Sequence, residues 1–296
     1  MQTRRLELLV ELSRLGSMRA VADELGVTTS TVSQQIAALA REVGAALVEP
    51  VGRRVRLAPA GRRLAEHAVA ILAGVEAARL DLDPQAEPAG TLRVAGFATA
   101  VRRSLLPVAV RLAAEHPRLS LVIHEHEPDE VVEMLATDRI DLALVYDYTM
   151  APAAIDPAFH VERLWTVPWH LGVPADTPDV PGGAVEVFRA MRDRAWMVNS
   201  RGTADERVVL TVGSMAGIEP RVVHRIDSLE LLQDMIVAGF GVGLLPADQP
   251  TKPGVRLIPL TDPQVRLRSY ALTRHGRTDW PPLALVVRLL TSTRSG

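Results

Sequence analysis

Residues 18–43, MRAVADELGVTTSTVSQQIAALAREV, constrain this chain more than any other stretch. Two short amphipathic segments flank Gly26-Val27-Thr28. Gly26 can take the left-handed conformation of a tight turn, Val27 can pack inward, and Thr28 is a good N-cap for a helix running to about Val43. Upstream, Leu6, Leu9, Val10 and Leu12 suit an amphipathic helix that Gly16-Ser17 ends, and Met18 to Leu25 make a second one. The pattern is a helix-turn-helix. In its third helix Val32, Ile36, Leu39 and Val43 recur at the spacing of one buried face. Ser30, Gln34, Ala37 and Arg41 point the opposite way, beside Thr31 and Ser33. Thr28, Thr29, Ser30, Thr31, Ser33, Gln34 and Arg41 are therefore the expected DNA-reading face, short and hydrogen-bonding enough to enter a major groove without steric cost. A solvated helix in a small bundle is the alternative, but Ser and Thr are mediocre helix formers on a surface that needs only solubility.

After Gly44, residues 47–57 read as two short strands around a Gly-Arg-Arg turn, which is a wing. Arg53, Arg54 and Arg56 would sit beside the recognition helix, where a wing touches phosphates or the minor groove; the alternative is an exposed charged hairpin. Charge along the chain agrees with the first reading. The whole is −2, yet residues 1–64 carry ten arginines against six acids, a balance of +4, which leaves −6 for the rest. A basic module joined to an acidic body is expected when only the first meets a polyanion. At 296 residues the chain exceeds one hydrophobic core, and 48% hydrophobic with 23% charged residues excludes disorder as its main theme. Cysteine is absent, which excludes a disulfide scaffold, a Cys-ligated metal and a thiol nucleophile. The first residues lack the apolar core of a signal peptide and no later stretch has the length of a membrane span, so a cytoplasmic protein with no membrane partner is expected.

From Pro59 to about Leu82 only Gly61 and Gly74 disfavour helix. Leu64, Ala68, Ile71, Val75, Ala78 and Leu82 recur in a heptad stripe, which predicts pairing with a second copy through Leu64, Ala68, Ile71, Val75 and Ala78. Packing onto the chain's own C-terminal body is the alternative. A polar hinge at 81–90 precedes a βαβαβ pattern, with strands at 91–95, 119–125 and 141–146 and helices at 105–115 and 129–137. A second set follows at 195–199, 203–216, 221–223, 228–238 and 242–245, then a strand at 266–272 and a helix from Pro281 to about Leu290. Two α/β lobes are indicated. Ligands in such sheets bind beyond the carboxyl ends of strands. That rule nominates Phe97, Thr99, Ala100, Tyr146, Tyr148, Asn199, Ser200, Arg201 and Thr203, with helix capping as the alternative for the two threonines and loop packing for the tyrosines. Arg201 would suit an anionic effector.

The segment from Arg4 to about Leu82 resembles LysR-type transcriptional regulators. GS at 16–17, AVADELGVTTSTVSQQIAAL at 20–39 and LVEPVGRRVRLAPAG at 47–61 keep that family's order and spacing, and TLRVAGF, LLP, HPRLSL, DLALVYD and VAGFGVGLLP extend the likeness across nearly the whole chain. Val48, Pro50 and Ala58 depart from it, standing where the family has an aromatic, an arginine and a threonine. The resemblance implies a winged helix-turn-helix domain at 1–58, a linker and dimerisation helix with hinge at 59–87, and a periplasmic-binding-protein-like effector domain at 88–296. Lobe I would hold 91–161 and 264–296 and lobe II 162–263, with two crossovers between them. It implies promoter DNA with dyad symmetry, a small-molecule effector and a homodimer or dimer of dimers, no cofactor, and the two threonines as effector contacts. A solute-binding or small-molecule-processing protein on the same two lobes is the rival from another class, but it leaves residues 1–82 unexplained.

Two further signals are weaker. His124-Glu125-His126-Glu127 has metal-binding residue types, but on a strand the two histidines share a face with no third ligand evident. Gly239-Phe-Gly-Val-Gly243 resembles a dinucleotide loop but follows a helix and precedes a strand, so it is read as a tight turn lining the cleft. With no nucleophile elbow, P-loop or paired-carboxylate constellation, an enzyme is not expected.

Overall fold

The computed structural model describes residues 2–51, 54–83, 87–198 and 204–292, with the backbone alone at 51, 54 and 81. Helices α1 (Thr3–Leu15), α2 (Met18–Leu25) and α3 (Thr29–Val43) form the first unit. Ser17 caps α2 by accepting from the Ala20 N–H at 3.1 Å, and Gly26 makes the turn at φ +63°. Leu6, Leu9, Leu12, Val21, Val32, Ile36 and Leu39 close one core, joined by Leu8, while Val10 packs only at its edge. Val43 is 37% exposed, because the α3 stripe outlasts the neighbours that cover it. The wing is β1 (Val48–Val51) paired antiparallel with β2 (Arg54–Leu57).

Helix α4 (Pro59–Leu82) starts with Pro59 in its first turn and no side-chain cap from Ala58. Gly61 has a specific reason to be there. A Cβ at that position would lie 2.0 Å from the Leu47 carbonyl oxygen, so glycine alone lets α4 dock on the base of the wing. Arg62 Nη1 adds a bond to the Leu57 carbonyl at 2.9 Å. This docking corrects part of the expected dimer seam. Ala68 is fully buried among the residues of its own winged domain and Leu64 packs against the same cluster, since the first turns of α4 lie along α1. Farther out Ile71 and Val75 are 39% and 40% exposed, and Ala78 is exposed too.

The C-terminal body is built on one mixed sheet in the order β4-β3-β5-β11-β6-β9-β7-β8, with β10 beside β6. In chain order these are β3 (Gly90–Gly96), β4 (Leu119–Glu125), β5 (Leu142–Tyr148), β6 (Phe159–Pro174), β7 (Ala195–Val198), β8 (Arg221–Arg225), β9 (Val242–Pro246), β10 (Val255–Ile258) and β11 (Arg266–Arg274). Strands β3, β4 and β5 are parallel, as are β7, β8 and β9. The two triads are the sheets of the two lobes. Strand β6 joins them: up to Pro168 it pairs with β11, and from Trp169 with β9 and β10. The expected lobe boundary at 161/162 thus falls inside a continuous strand. The chain returns through β11, which pairs with both β5 and β6.

Helices cover both faces. Helix α5 (Ala98–Ala100) runs through a π-helical turn at Val101–Leu105 into α6 (Leu106–Glu115), and α7 (Pro128–Ala136), α8 (Ala184–Ala190), α9 (Ala204–Met215), α10 (Leu229–Val237) and α11 (Pro281–Ser292) follow. Helix α8 and strands β6 and β10 are absent from the sequence reading. Behind the sheet Asp147, 4% exposed, takes a bidentate bond from Arg268 at 2.7 and 2.6 Å, riveting β5 to β11.

Candidate functional site

The third helix presents the face its sequence predicts. Thr28, Thr29, Ser30, Thr31, Ser33, Gln34, Ala37 and Arg41 are all exposed. Thr28 caps the helix by accepting from the Thr31 N–H at 3.2 Å, and its hydroxyl lies 2.8 Å from those of both Ser30 and Thr31. The first turn is therefore an ordered cluster of hydroxyls rather than a set of free rotors, which lowers the side-chain entropy lost in any contact it makes. Gln34 stands one turn on. Arg5 from α1 buttresses the helix from the side, bonding Gln35 at 3.0 Å and Glu42 at 3.0 Å. Of the wing cations, Arg56 faces Glu49 across the hairpin and bonds it at 2.6 and 3.0 Å, so its charge is partly spoken for. Arg53 and the side chain of Arg54 lie outside the described residues.

A cavity of about 790 Å³ separates the lobes. Phe97 and Thr99 reach it from the end of β3 and Tyr146 from β5; Trp169 forms its floor on β6. Asp205 enters from the first turn of α9, and Asp227, Ser228, Glu230 and Gln233 from the start of α10. Parallel strands explain the convergence: their carboxyl ends, and the helices that begin there, all point to the seam between the triads. Of the nominated residues, Phe97, Thr99 and Tyr146 line this space. Ala100 and Tyr148 do not: both are fully buried behind the wall, because Ala100 faces the core and Tyr148 is covered by Tyr146 and Trp169. Asn199, Ser200, Arg201 and Thr203 lie outside the described residues. The Gly239–Gly243 turn lies away from the cavity; an added Cβ at Gly241 would come 2.4 Å from the Ala195 carbonyl, so close strand packing is its purpose.

The cavity has two chemical characters. Its wall is an aromatic ladder, with Phe97 and Tyr146 ring centroids 4.6 Å apart, Tyr146 edge-on to Tyr148 at 5.9 Å, and Tyr148 edge-on to Trp169 at 5.5 Å. Its polar groups are mainly acids. Tyr146 donates its hydroxyl to Glu127 at 3.1 Å. Asp205 Oδ1 and the Tyr148 hydroxyl are both buried and interact with each other, the hydroxyl stabilising the carboxylate from just outside good hydrogen-bond geometry. Burial pushes the Asp205 carboxyl up to about 6, with the neighbouring Tyr148 hydroxyl pulling it back and the Asp227 charge adding to the rise. The Tyr148 phenol is pushed well up by burial and by Asp205. At the rim, an Arg103–Asp248 ion pair ties the π-helical turn to the segment after β9, and the Arg103 guanidinium stacks 4.8 Å from the Trp165 ring.

The sequence reading does not single out Glu127, Trp169, Asp205, Asp227 or Gln233. Among the described residues no group of histidines and acids is placed to hold a metal, and His126 pairs with Glu130 at 3.1 Å instead. No helix among them is long and apolar enough to cross a membrane.

Comparison with known proteins follows the same division. Residues 3–62 match the family described as bacterial regulatory helix-turn-helix protein, lysR family, and residues 85–294 match the LysR substrate binding domain. The nitrogen assimilation regulatory protein nac of Escherichia coli is 28% identical over 248 residues, 83% of this chain and 78% of that protein. A hydrogen peroxide-inducible genes activator of Haemophilus influenzae is 28% identical over 275 residues, 89% of this chain and 87% of that one. Among solved structures, a point variant of full-length OxyR from Pseudomonas aeruginosa superposes with a TM-score of 0.72 at 20% identity, covering 99% of this chain and 94% of that one.

Proposed function

Because the chain belongs to the LysR family of DNA-binding transcriptional regulators, we propose how its own residues divide that work. Residues 1–58 grip promoter DNA, with Thr28, Thr29, Ser30, Thr31, Ser33 and Gln34 in the major groove. Arg41, Arg53 and Arg54 neutralise backbone phosphates, and Arg56 joins them only by exchanging Glu49 for DNA. Residues 59–87 join two protomers through Ile71, Val75 and Ala78, the part of the stripe left exposed on a single chain. Residues 88–296 sense a small molecule held between the lobes, with Phe97, Thr99 and Tyr146 against it and Asn199, Ser200, Arg201 and Thr203 as further contacts. The protein works in the cytoplasm as a homodimer or dimer of dimers, and catalyses nothing.

The observation that carries this reading is a polar, capped recognition helix and a 790 Å³ interlobe cavity in one chain. Effector binding would shift the population of lobe arrangements and so the spacing of the DNA-binding heads. The signal is not thiol oxidation, because the chain has no cysteine, whatever inducer its peroxide-inducible relatives answer to. Footprinting on the promoter region upstream of the chain's own coding sequence tests it: two protected half-sites about one or two helical turns apart are expected. A single unpaired half-site, or no preference over random DNA, would refute the division of labour.

A further inference from the structure

Strand β5 separates two spaces. Alternation along it sends Tyr146 and Tyr148 into the main core on the cleft side, and Ala143 and Val145 into a smaller core on the other face of the sheet, with Asp147 on that face too. On the far face lies a second cavity, of about 240 Å³. Val132 from α7, Val145, Phe159 from β6 and Leu272 from β11 are its walls, and Ile155 closes it from the segment that leads from β5 to β6. Among the described residues only Tyr146 lines both this space and the interlobe cleft. Ala153 and Ala154 line it from the same segment as Ile155, so much of its lid is built of methyl groups. Both are exposed, as are Asp129 and Asp156 at the mouth. Folded interiors seldom keep a void many times the size of a water molecule.

The polar groups of this cavity already satisfy one another. Asp147 Oδ1 accepts from Arg268 Nε at 2.7 Å and from the Tyr270 hydroxyl at 3.3 Å, and its Oδ2 accepts from Arg268 Nη2 at 2.6 Å and from the Ala153 N–H at 3.0 Å. Four donors on one carboxylate leave it nothing to offer a cationic ligand, and the Arg268 charge is spent on it. An ammonium or a carboxylate entering here would give up its hydration for no new partner. At the mouth Asp129 sits in the first turn of α7 and Asp156 accepts the Ala158 N–H at 2.8 Å, and their charge adds to the barrier against anions. One group keeps capacity for a ligand. The Tyr270 hydroxyl donates its proton to Asp147, and its oxygen can still accept a hydrogen bond. At interior packing density the space takes on the order of ten non-hydrogen atoms.

We infer that this cavity is a second small-molecule site, in lobe I, for a neutral compound of one or two rings that carries at most one hydrogen-bond donor, set on the Tyr270 oxygen. It stands or falls apart from the interlobe cleft, since it lies on the opposite face of β5. The test is calorimetric titration of the full-length protein with benzyl alcohol and indole, and with benzoate and benzylammonium as charged twins of the first. At least one neutral probe should bind about tenfold tighter or more than either twin. Ala154→Phe and, separately, Val132→Phe put a ring into the space and should abolish that binding while cooperative unfolding is kept. Thr99→Trp, which fills the interlobe cleft, should leave it within about twofold. A crystal soaked with 4-bromobenzyl alcohol needs no variant: the bromine should lie among Val145, Ile155 and Leu272. Neutral probes that bind no tighter than the charged twins, or not at all, overturn the inference. So does neutral binding that Thr99→Trp abolishes, or bromine found in the interlobe cleft, either of which moves the probes to the other face of β5. Should no probe bind while Ala154→Phe melts higher than wild type, the space is a packing void and nothing more.

Discussion

Replacing Asp205 by Asn should stabilise the protein, and by an amount that depends on pH. An aspartate in the unfolded chain titrates near 3.8, whereas burial holds Asp205 at about 6 in the folded one. Converted at about 1.36 kcal/mol per pK, that displacement makes the ionised group cost about 3 kcal/mol of folding free energy at pH 8. The sign follows from proton binding. With the folded value the higher, the native state holds more protons between pH 4 and 6, so wild-type stability is greatest at the acid end and falls as pH rises through about 6. Asparagine keeps the shape and removes the charge, and so the slope. Urea denaturation followed by tryptophan fluorescence should place Asp205→Asn about 3 kcal/mol above wild type at pH 8. The gain should shrink to about half of that at pH 5, where the wild-type group is mostly protonated when folded. Equivalent melting shifts for a domain of this size are about 6 to 12 °C at pH 8. A variant less stable than wild type at pH 8, or a gain that does not change with pH, would refute the claim that the cost of burying the Asp205 charge outweighs the Tyr148 hydroxyl's support.

Gln34→Ala should weaken operator binding by about 1 to 3 kcal/mol while barely changing affinity for random DNA, and Arg41→Ala should weaken both and lower the salt dependence by about one ion; anisotropy titrations on two duplexes separate them. Ile71→Glu puts like charges on the exposed half of the α4 stripe and should give monomers in sedimentation, whereas an unchanged oligomer would move the interface elsewhere. Gly61→Ala forces a carbon against the Leu47 carbonyl and should cost the winged domain about 1 to 3 kcal/mol, read as a lower melting temperature; a neutral result would mean the docking of α4 on the wing is loose. Asp147→Asn breaks the buried bidentate pair with Arg268 and should cost about 3 to 5 kcal/mol in denaturant titration.

The parts of this molecule legible in the sequence are those whose causes are local. Gly26, Thr28 and the spacing of Val32, Ile36 and Leu39 specify the helix-turn-helix within 20 residues of one another, and the structure keeps their turn, cap and buried face. The strands of both triads fall within a residue or two of their expected ends for the same reason, being short apolar runs between turn signals. Strand β6 is the contrary case. Its 16 residues contain Pro168 and no steady alternation, because its pairing partner changes from β11 to β9 and β10 partway along, and only the assembled sheet supplies that reason. The α4 stripe misleads in part on similar grounds: a heptad says that a face is apolar, not which surface covers it, and for Leu64 and Ala68 that surface is α1 of the same chain.

Asp205 sets the limit of such reading most sharply. An acid in the first turn of a helix is ordinarily stabilised by the dipole, with its carboxyl held down. Read from sequence, Asp205 and Glu206 at the head of α9 are a commonplace pair. Glu206 points outward into a salt bridge with Arg225 at 2.6 Å. Asp205, one residue away and turned toward the cleft, has its carboxyl pushed up instead, so desolvation there outweighs whatever the helix terminus contributes. The difference comes from the Tyr148 ring delivered by β5 and from Asp227 delivered by the segment before α10, two elements that meet α9 only because the strand order brings the lobes' carboxyl ends together.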